Sequence, residues 1–247
     1  MSNSANINES NLEDRAVQLI DRGQLRRAES VLKRMLADAS NCLPAHFHLA
    51  RVYRRTKQYQ LALYHGRRTL RLRPQETNAC LNLGLIYEFM GNDRQAALYY
   101  RKELSHNPNS AETLYNIGRL YFNRHRWREA STYLVRCLDT GFKHEIEDTV
   151  DKLGLCYYKL GDVQSYIDLH TRYLKMFPRA FWAAANLGRA LLYTQDYKGA
   201  VRWLSVASRR KNKKSVLLDL ARAKKMLANG KGRSRRSKPV RGAVPEN

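Results

Sequence analysis

A chain of 247 residues has room for one domain or two small ones, and 43% apolar residues are enough for a core. Six prolines, thirteen glycines and a dominance of Ala, Leu, Arg, Lys and Tyr, without alternating Val/Ile/Thr runs, exclude a mainly β fold and point to helix. Lys and Arg number 45 against 22 Asp and Glu, and the net charge of +23 favours anionic partners: acidic protein segments, nucleic acid or anionic lipid.

From the N-terminus, Met1 to Asp14 is polar and carries no apolar stretch of a secretion signal, so residues 1–8 are expected to be disordered. No segment approaches the ~18 apolar residues of a membrane span. The expected location is therefore cytoplasmic, or nuclear in a eukaryote. Cys42, Cys80, Cys137 and Cys156 lie too far apart in sequence for a metal knuckle or redox pair and read as small apolar residues of a reducing compartment.

Self-similarity then organises the chain. A Leu or Ile precedes a small residue, with Tyr or Leu three positions later: Leu49-Ala50 with Tyr53, Leu83-Gly84 with Tyr87, Ile117-Gly118 with Tyr121, Leu153-Gly154 with Tyr157, and Leu187-Gly188 with Leu191. Ala16 with Leu19 is a degraded first copy. The small residues at 16, 50, 84, 118, 154 and 188 are separated by 34, 34, 34, 36 and 34 positions. Twelve positions after each comes a second small residue, Ala28, Ala62, Ala96, Ala130 and Ala200, with Tyr166 breaking the fifth repeat. Apolar residues recur at three and four positions, as a helix face requires. Gly23, Gly91 and Gly161 fall between the two helices of a copy, where a left-handed C-terminal cap is needed. Pro74, Pro108 and Pro178 stop the second helix.

This pattern resembles the tetratricopeptide repeat, over about residues 9 to 214. The copy from Thr77 to Ser110 is the fullest, with Gly84, Tyr87, Gly91, Ala96, Tyr100 and Pro108 at family positions. The resemblance implies an all-α, right-handed solenoid of tandem helix-turn-helix pairs that need stacking to cover their apolar faces. The repeats read as 9–42, 43–76, 77–110, 111–144, 147–180 and 181–214, with two extra residues, 145–146, marking an irregular joint. Thr140-Gly141-Phe142 stands there where a proline would end the fourth repeat. A capping helix is expected over 215–229, its stripe formed by Leu217, Leu218, Leu220, Ala221, Ala223, Met226 and Leu227. Two helices per repeat and the cap make thirteen. Residues 231–247 lack apolar periodicity and are expected to be disordered.

No catalytic pattern is present. His144-Glu145 opens like a zinc-protease helix but lacks the second histidine, and no glycine-rich phosphate loop occurs. His46 and His48, two positions apart, cannot share a helix face. The expected function is therefore non-catalytic, without cofactor or metal: an adaptor or scaffold whose groove binds an extended or helical segment of a partner protein.

The family resemblance implies that the first helix of each repeat lines that groove. The residues expected there are Phe47, His48, Arg51, Arg54, Arg55, Asn82, Leu85, Tyr115, Asn116, Arg119, Lys152, Asn186 and Arg189. Trp182, Tyr193, Phe89, Phe122, Glu112, Asp148 and Asp151 fall on facing positions too. No Lys stands at the fifth repeat position, so the carboxylate clamp of heat-shock co-chaperones is not matched. Asn82, Asn116 and Asn186 look more like the asparagine ladder of the O-linked N-acetylglucosamine transferase solenoid, where amides grip a peptide backbone as donor and acceptor together. The arginines would read acidic side chains through their planar fork.

The basic end supports an alternative, a nucleic-acid- or ribosome-associated repeat protein. Residues 209 to 247 hold fourteen Lys or Arg against two acids, and no aromatic residue for base stacking. Lys231, Arg233, Arg235, Arg236, Lys238 and Arg241 are the expected polyanion contacts.

Overall fold

The computed structural model describes residues 2–141, 145–211 and 213–229, with backbone alone for residues 2–9. Among the described residues there are thirteen α-helices and no strand. Five pairs pack together, α1 (Ser2–Asp21) with α2 (Leu25–Asp38), α3 (Leu43–Arg55) with α4 (Tyr59–Leu72), α5 (Thr77–Phe89) with α6 (Asp93–His106), α9 (Ile146–Leu160) with α10 (Val163–Met176), and α11 (Phe181–Tyr193) with α12 (Tyr197–Arg210), while α7 (Ala111–Asn123) and α8 (Trp127–Asp139) lie between them in the chain. The last helix, α13 (Lys214–Ala228), packs on α12 and α11. The chain divides after Leu120, within α7, into two compact units, each a stack of antiparallel helix pairs in the manner of an all-α solenoid.

The repeat phase explains the turns. Gly23, Gly91 and Gly161 have φ of +73°, +74° and +70°. The equivalent residues of the other pairs, Lys57, His125 and Gln195, take the same left-handed conformation at +61°, +58° and +65° without being glycine. The next residue caps the following helix. Asn92, Asp162 and Asp196 accept hydrogen bonds from the backbone N–H of Gln95, Ser165 and Gly199 at 3.1, 3.0 and 2.9 Å, satisfying donors that the helix start leaves open.

The two small-residue rows are core. Ala16, Ala50, Ala28, Ala62, Ala96, Ala130 and Ala200 are fully buried, as are Gly84, Gly118, Gly154 and Gly188. Opposite the first row the second helix offers one side chain sixteen positions on: Tyr100 against Gly84, His170 against Gly154 and Leu204 against Gly188. A methyl at Gly84 would stand 2.4 Å from the Tyr100 ring, and one at Gly188 2.7 Å from Leu204 Cγ. At Gly154 the nearest atom is 3.5 Å away.

Two expectations are corrected. Helix α1 begins at Ser2, so residues 2–8 are helical rather than disordered; once the buried turns at Ala16 and Ile20 nucleate it, each added residue gains a hydrogen bond. The cap runs from Lys214, and only Val216, Leu220 and Ala223 of it are buried. Leu217, Leu218 and Leu227 are 43%, 62% and 40% exposed, because a last helix packed mainly on α12 buries a narrower arc than the stripe spans. Of the joint expected at 145–146, Glu145 precedes α9 and Ile146 begins it, while residues 142–144 lie outside the described residues.

Candidate functional site

The first helix of each pair shows repeat positions 5, 6, 9 and 12 on one side, since residues three and four apart are neighbours on a helix. In the unit ending at Leu120, these side chains are largely occupied with one another. Arg54 Nε donates to Asn82 Oδ1 at 3.0 Å, and its guanidinium lies 5.9 Å from the Phe89 ring centroid. Burial, then the nearby Arg51, pulls the Arg54 pKa down. Asn82 is 5% exposed, and its Nδ2 has no hydrogen-bond partner among the described residues. Arg119 pairs with Glu88 at 3.0 Å and also donates to Asn116 Oδ1 at 3.3 Å, while Tyr100 donates its hydroxyl proton to Glu88 Oε2 at 2.8 Å. Desolvation of the Tyr100 phenol, with Glu88 beside it, pushes its pKa upward, so it stays a donor.

His48 joins two first helices. Arg51 Nη1 donates to His48 Nδ1 and His48 Nε2 donates to Glu13, both at 3.3 Å, which defines a neutral ring. Burial holds its pKa below the usual histidine value. Phe47 is half-buried, edge-on to His48 at 5.1 Å. Leu85 and Tyr115 are half-buried as well. Arg55 Nη1 donates to the Ile20 carbonyl at 2.6 Å, satisfying an acceptor in the C-terminal turn of α1.

The second unit is more open. Lys152 pairs with Asp148 on its own helix and lies 5.5 Å from the Phe122 centroid. Beyond it, α9, α11 and α13 enclose a cleft of about 570 Å³. Phe181, Trp182 and Tyr193 supply its aromatic surface, and Asn186 and Arg189 stand on the same helix. Asp151 lines the cleft from α9, and Lys213, Asp219 and Arg222 from α13. Arg189 Nε donates to Asp219 Oδ2 at 2.8 Å and Nη2 to Ser215 Oγ at 3.2 Å. The Lys211 and Lys213 ammoniums lie 5.6 and 5.4 Å from the Phe181 centroid, within cation–π range. Burial, with Asp148 and Glu147 nearby, raises the Asp151 carboxyl. Asn186 is half-exposed and has no hydrogen-bond partner among the described residues. Glu13 and Glu88 hold repeat positions 5 and 12, whereas Phe181 and Asp219 were not marked by the repeat pattern; Asp219 is recognisable only through the arginine it meets in space.

Two histidine arrangements were also invisible in sequence. His46 and His65 meet at 2.8 Å between their Nδ1 atoms, with Tyr53 stacked on His65 at 5.5 Å. His170 is 1% exposed, and neither ring nitrogen has a hydrogen-bond partner among the described residues. All four cysteines are buried thiols outside any disulfide, and burial pushes Cys137 up to about 11 and Cys156 to about 12. Among the described residues no three His, Cys, Asp or Glu converge as metal ligands, and no helix is long and apolar enough to cross a membrane. Lys231, Arg233, Arg235, Arg236, Lys238 and Arg241 lie outside the described residues.

Three tetratricopeptide repeat models match the chain, over residues 14–77, 79–112 and 110–141. Human tetratricopeptide repeat protein 6 is 33% identical over 57 residues, a stretch that covers 23% of this chain and 11% of that protein. The C-terminal part of a TPR repeat-containing protein from Cytophaga hutchinsonii superposes with a TM-score of 0.66 at 16% identity, covering 88% of this chain and 86% of the other. YrrB, described as a TPR protein with an unusual peptide-binding site, superposes at 0.58 with 16% identity, covering 78% of this chain and 97% of its own. MamA gives 0.55 at 21% identity, over 70% of this chain and 93% of its own. With repeat models on just over half of its length and the same paired-helix fold as these solved proteins, the chain belongs to the tetratricopeptide repeat family.

Proposed function

We propose that the protein is a non-catalytic interaction adaptor, and that the cleft between α9, α11 and α13 takes a peptide segment of a partner protein. The observation that carries this reading is the cleft itself: about 570 Å³, three aromatic side chains and an unengaged amide, Asn186, beside Lys213 and Arg222. Aromatic anchors beside cations are what interface centres favour. An amide that is neither buried nor bonded can give a peptide unit a donor and an acceptor. With Arg189 and Asp219 neutralising each other, Lys213 and Arg222 outweigh Asp151, and the favoured segment carries acidic side chains. Peptide binding is also what the YrrB structure is described as having.

The test is affinity capture with the full chain, then calorimetry on the captured partner. Asn186→Ala should weaken binding by about 0.5–1.5 kcal/mol, one neutral hydrogen bond, and Arg222→Glu by more for an acidic segment. Melting temperatures should stay at the wild-type value, because both side chains reach solvent. Unchanged affinity in both variants would move the binding site out of this cleft.

A further inference from the structure

The last helix has a second side that the cleft does not use. Val216, Leu220 and Ala223 of α13 face the core, and Ser215, Asp219 and Arg222 face the cleft. Turning outward by the helical repeat are Lys214, Leu218 and Lys225, with Leu217 and Lys224 along their edge. All five are exposed, Leu218 at 62% and Leu217 at 43%. Among the described residues, none of the three lysines is ion-paired. The helix thus shows two adjacent leucines inside a frame of unopposed cations.

The start of α13 points the same way. Lys213 stands at the N-cap without a side-chain cap, and Lys214 is the first helical residue. Cations at that end oppose the helix dipole, and an uncapped start leaves N–H donors open. Local helix chemistry would place Ser or Asp there, so the lysines are retained against the interest of the helix itself.

Charge decides what can cover the face. A second copy would set the lysine frame against its like. The segment that follows, Lys231 to Arg241, is strongly basic and would be repelled as well. An anionic occupant is required. Nucleic acid would satisfy the lysines and leave Leu217 and Leu218 in water, with no aromatic side chain from 209 onward to stack on a base. An anionic bilayer satisfies both: headgroup phosphates and carboxylates meet the lysines, and the leucines enter the acyl boundary, as amphipathic interfacial helices do.

We propose that the outward face of α13, Lys214, Leu217, Leu218, Lys224 and Lys225, is a docking surface for anionic membrane, which holds the chain peripherally at a bilayer.

The test uses full-length protein and flotation with vesicles of phosphatidylcholine alone or with 30 mol% phosphatidylserine. Wild type should float with the anionic vesicles and not with neutral ones. Each cation near such a surface strengthens binding about fivefold, so Lys214→Gln with Lys224→Gln and Lys225→Gln should weaken it roughly 100-fold. Leu217→Ser with Leu218→Ser should weaken it about tenfold or more and leave the affinity for a 20-nucleotide RNA unchanged, since only a bilayer uses the leucines. Circular dichroism and melting of each variant should match wild type, because every altered side chain is exposed. Equal flotation of the leucine variant would overturn the proposal. So would loss of flotation on changing only Arg233, Arg235 and Arg236 to Gln while the α13 variants bind normally, or RNA displacing wild type from vesicles with an RNA affinity that the lysine variant alone loses.

Discussion

Asn116 and Asn186 hold the same repeat position, each with an arginine three residues on, yet one amide is closed and the other open. Asn116 is 7% exposed and accepts from Arg119, which is itself held by Glu88. Asn186 is half-exposed, while Arg189 reaches past it to Asp219 on α13. The difference lies in the neighbour. Where the acid comes from α5, two helices earlier, and is anchored by Tyr100, arginine and amide close into one network. Where it comes from the capping helix, the arginine is drawn aside and the amide is left facing a cleft. A repeat position therefore nominates a groove residue, and its spatial neighbours decide whether a ligand can use it.

The opposing neighbour likewise decides what each helix crossing tolerates. Gly84 is pressed on the fully buried Tyr100 ring, whose hydroxyl is fixed by Glu88 and cannot retreat. Gly84→Ala should cost about 3 kcal/mol, at the upper end of overpacking penalties, and Gly84→Leu more. Gly154 faces His170 across 3.5 Å, ordinary contact for a methyl. Gly154→Ala should instead gain about 0.5–1 kcal/mol, because a glycine inside a helix loses more freedom on folding. Denaturant titration of the two alanine variants checks both signs. Destabilisation by Gly154→Ala as large as that by Gly84→Ala would show that residue position, not the opposing side chain, sets the cost.

Asn82 and Asn186 separate stability from binding. Asn82→Ala removes the hydrogen-bond acceptor of a largely buried guanidinium, which has only the Phe89 ring and neighbouring charges otherwise. That loss should cost about 1.5–3 kcal/mol of stability, as for hydrogen bonds to charged groups. Asn186→Ala should leave stability within about 0.5 kcal/mol, the range of ordinary surface changes. Thermal melts of the pair decide it. Equal melting temperatures would mean that Arg54 finds another acceptor, and that Asn82 is as available to a ligand as Asn186.

What was legible in the sequence follows from these cases. The 34-residue phase, the alanine rows and the glycine turns are local patterns dictated by helix geometry, and thirteen helices follow from them. Gly141, which stands where a proline would end the fourth repeat, has a φ of +74°. The groove was legible only as a set of positions. Arg55 bonding the Ile20 carbonyl, Arg119 held by Glu88 and Arg189 held by Asp219 depend on residues 35, 31 and 30 positions away. No periodicity announces those partners. The cap misled for a related reason: an apolar count along α13 cannot tell a side covered by α12 from one left outside.

Acid should strain both units, through different arrangements. In the first, His46 Nε2–H donates to the Ser40 carbonyl, so its Nδ1 accepts from His65 Nδ1–H and both rings are neutral. Burial, then the competing His46 ring and the Lys33 charge, lowers His65 to about 4, and burial beside Arg68 lowers His46. In the second, burial alone lowers His170 to about 4. An unfolded histidine titrates near 6.5, so between pH 6.5 and 4 the unfolded chain binds more protons and stability falls as pH falls. For His170 the loss from pH 7 to 4.5 should be about 2 kcal/mol. His170→Phe should flatten that part of the slope, and it should not lower stability at pH 7, since the ring nitrogens have no partners to lose. Urea midpoints at pH 7 and 4.5 check this; an unchanged slope would place the acid-sensitive group elsewhere.

The smallest expected effect concerns the six turns inside the helix pairs, three with glycine and three without. Lys57, His125 and Gln195 take the left-handed conformation of Gly23, Gly91 and Gly161, in which a side chain crowds its own backbone and costs about 1–2 kcal/mol. All three are exposed, so their side chains have little packing to lose. Lys57 and Gln195 are the cleaner sites, because His125 also lies 5.0 Å from the Trp127 ring. Glycine at either position removes the crowding but adds freedom to the unfolded chain, worth about 0.5–1 kcal/mol in the other direction. Lys57→Gly in the first unit and Gln195→Gly in the second should therefore each stabilise by a few tenths of a kcal/mol and up to about 1 kcal/mol. Gly91→Ala, the reverse exchange at an equivalent turn with nothing within 4 Å of the added methyl, should destabilise by a similar amount through backbone strain alone. Urea unfolding of the three variants measures the sum. If Lys57→Gly destabilises while Gly91→Ala is neutral, the left-handed turns carry no strain at non-glycine positions, and their spacing reflects chain path rather than a cost that glycine relieves.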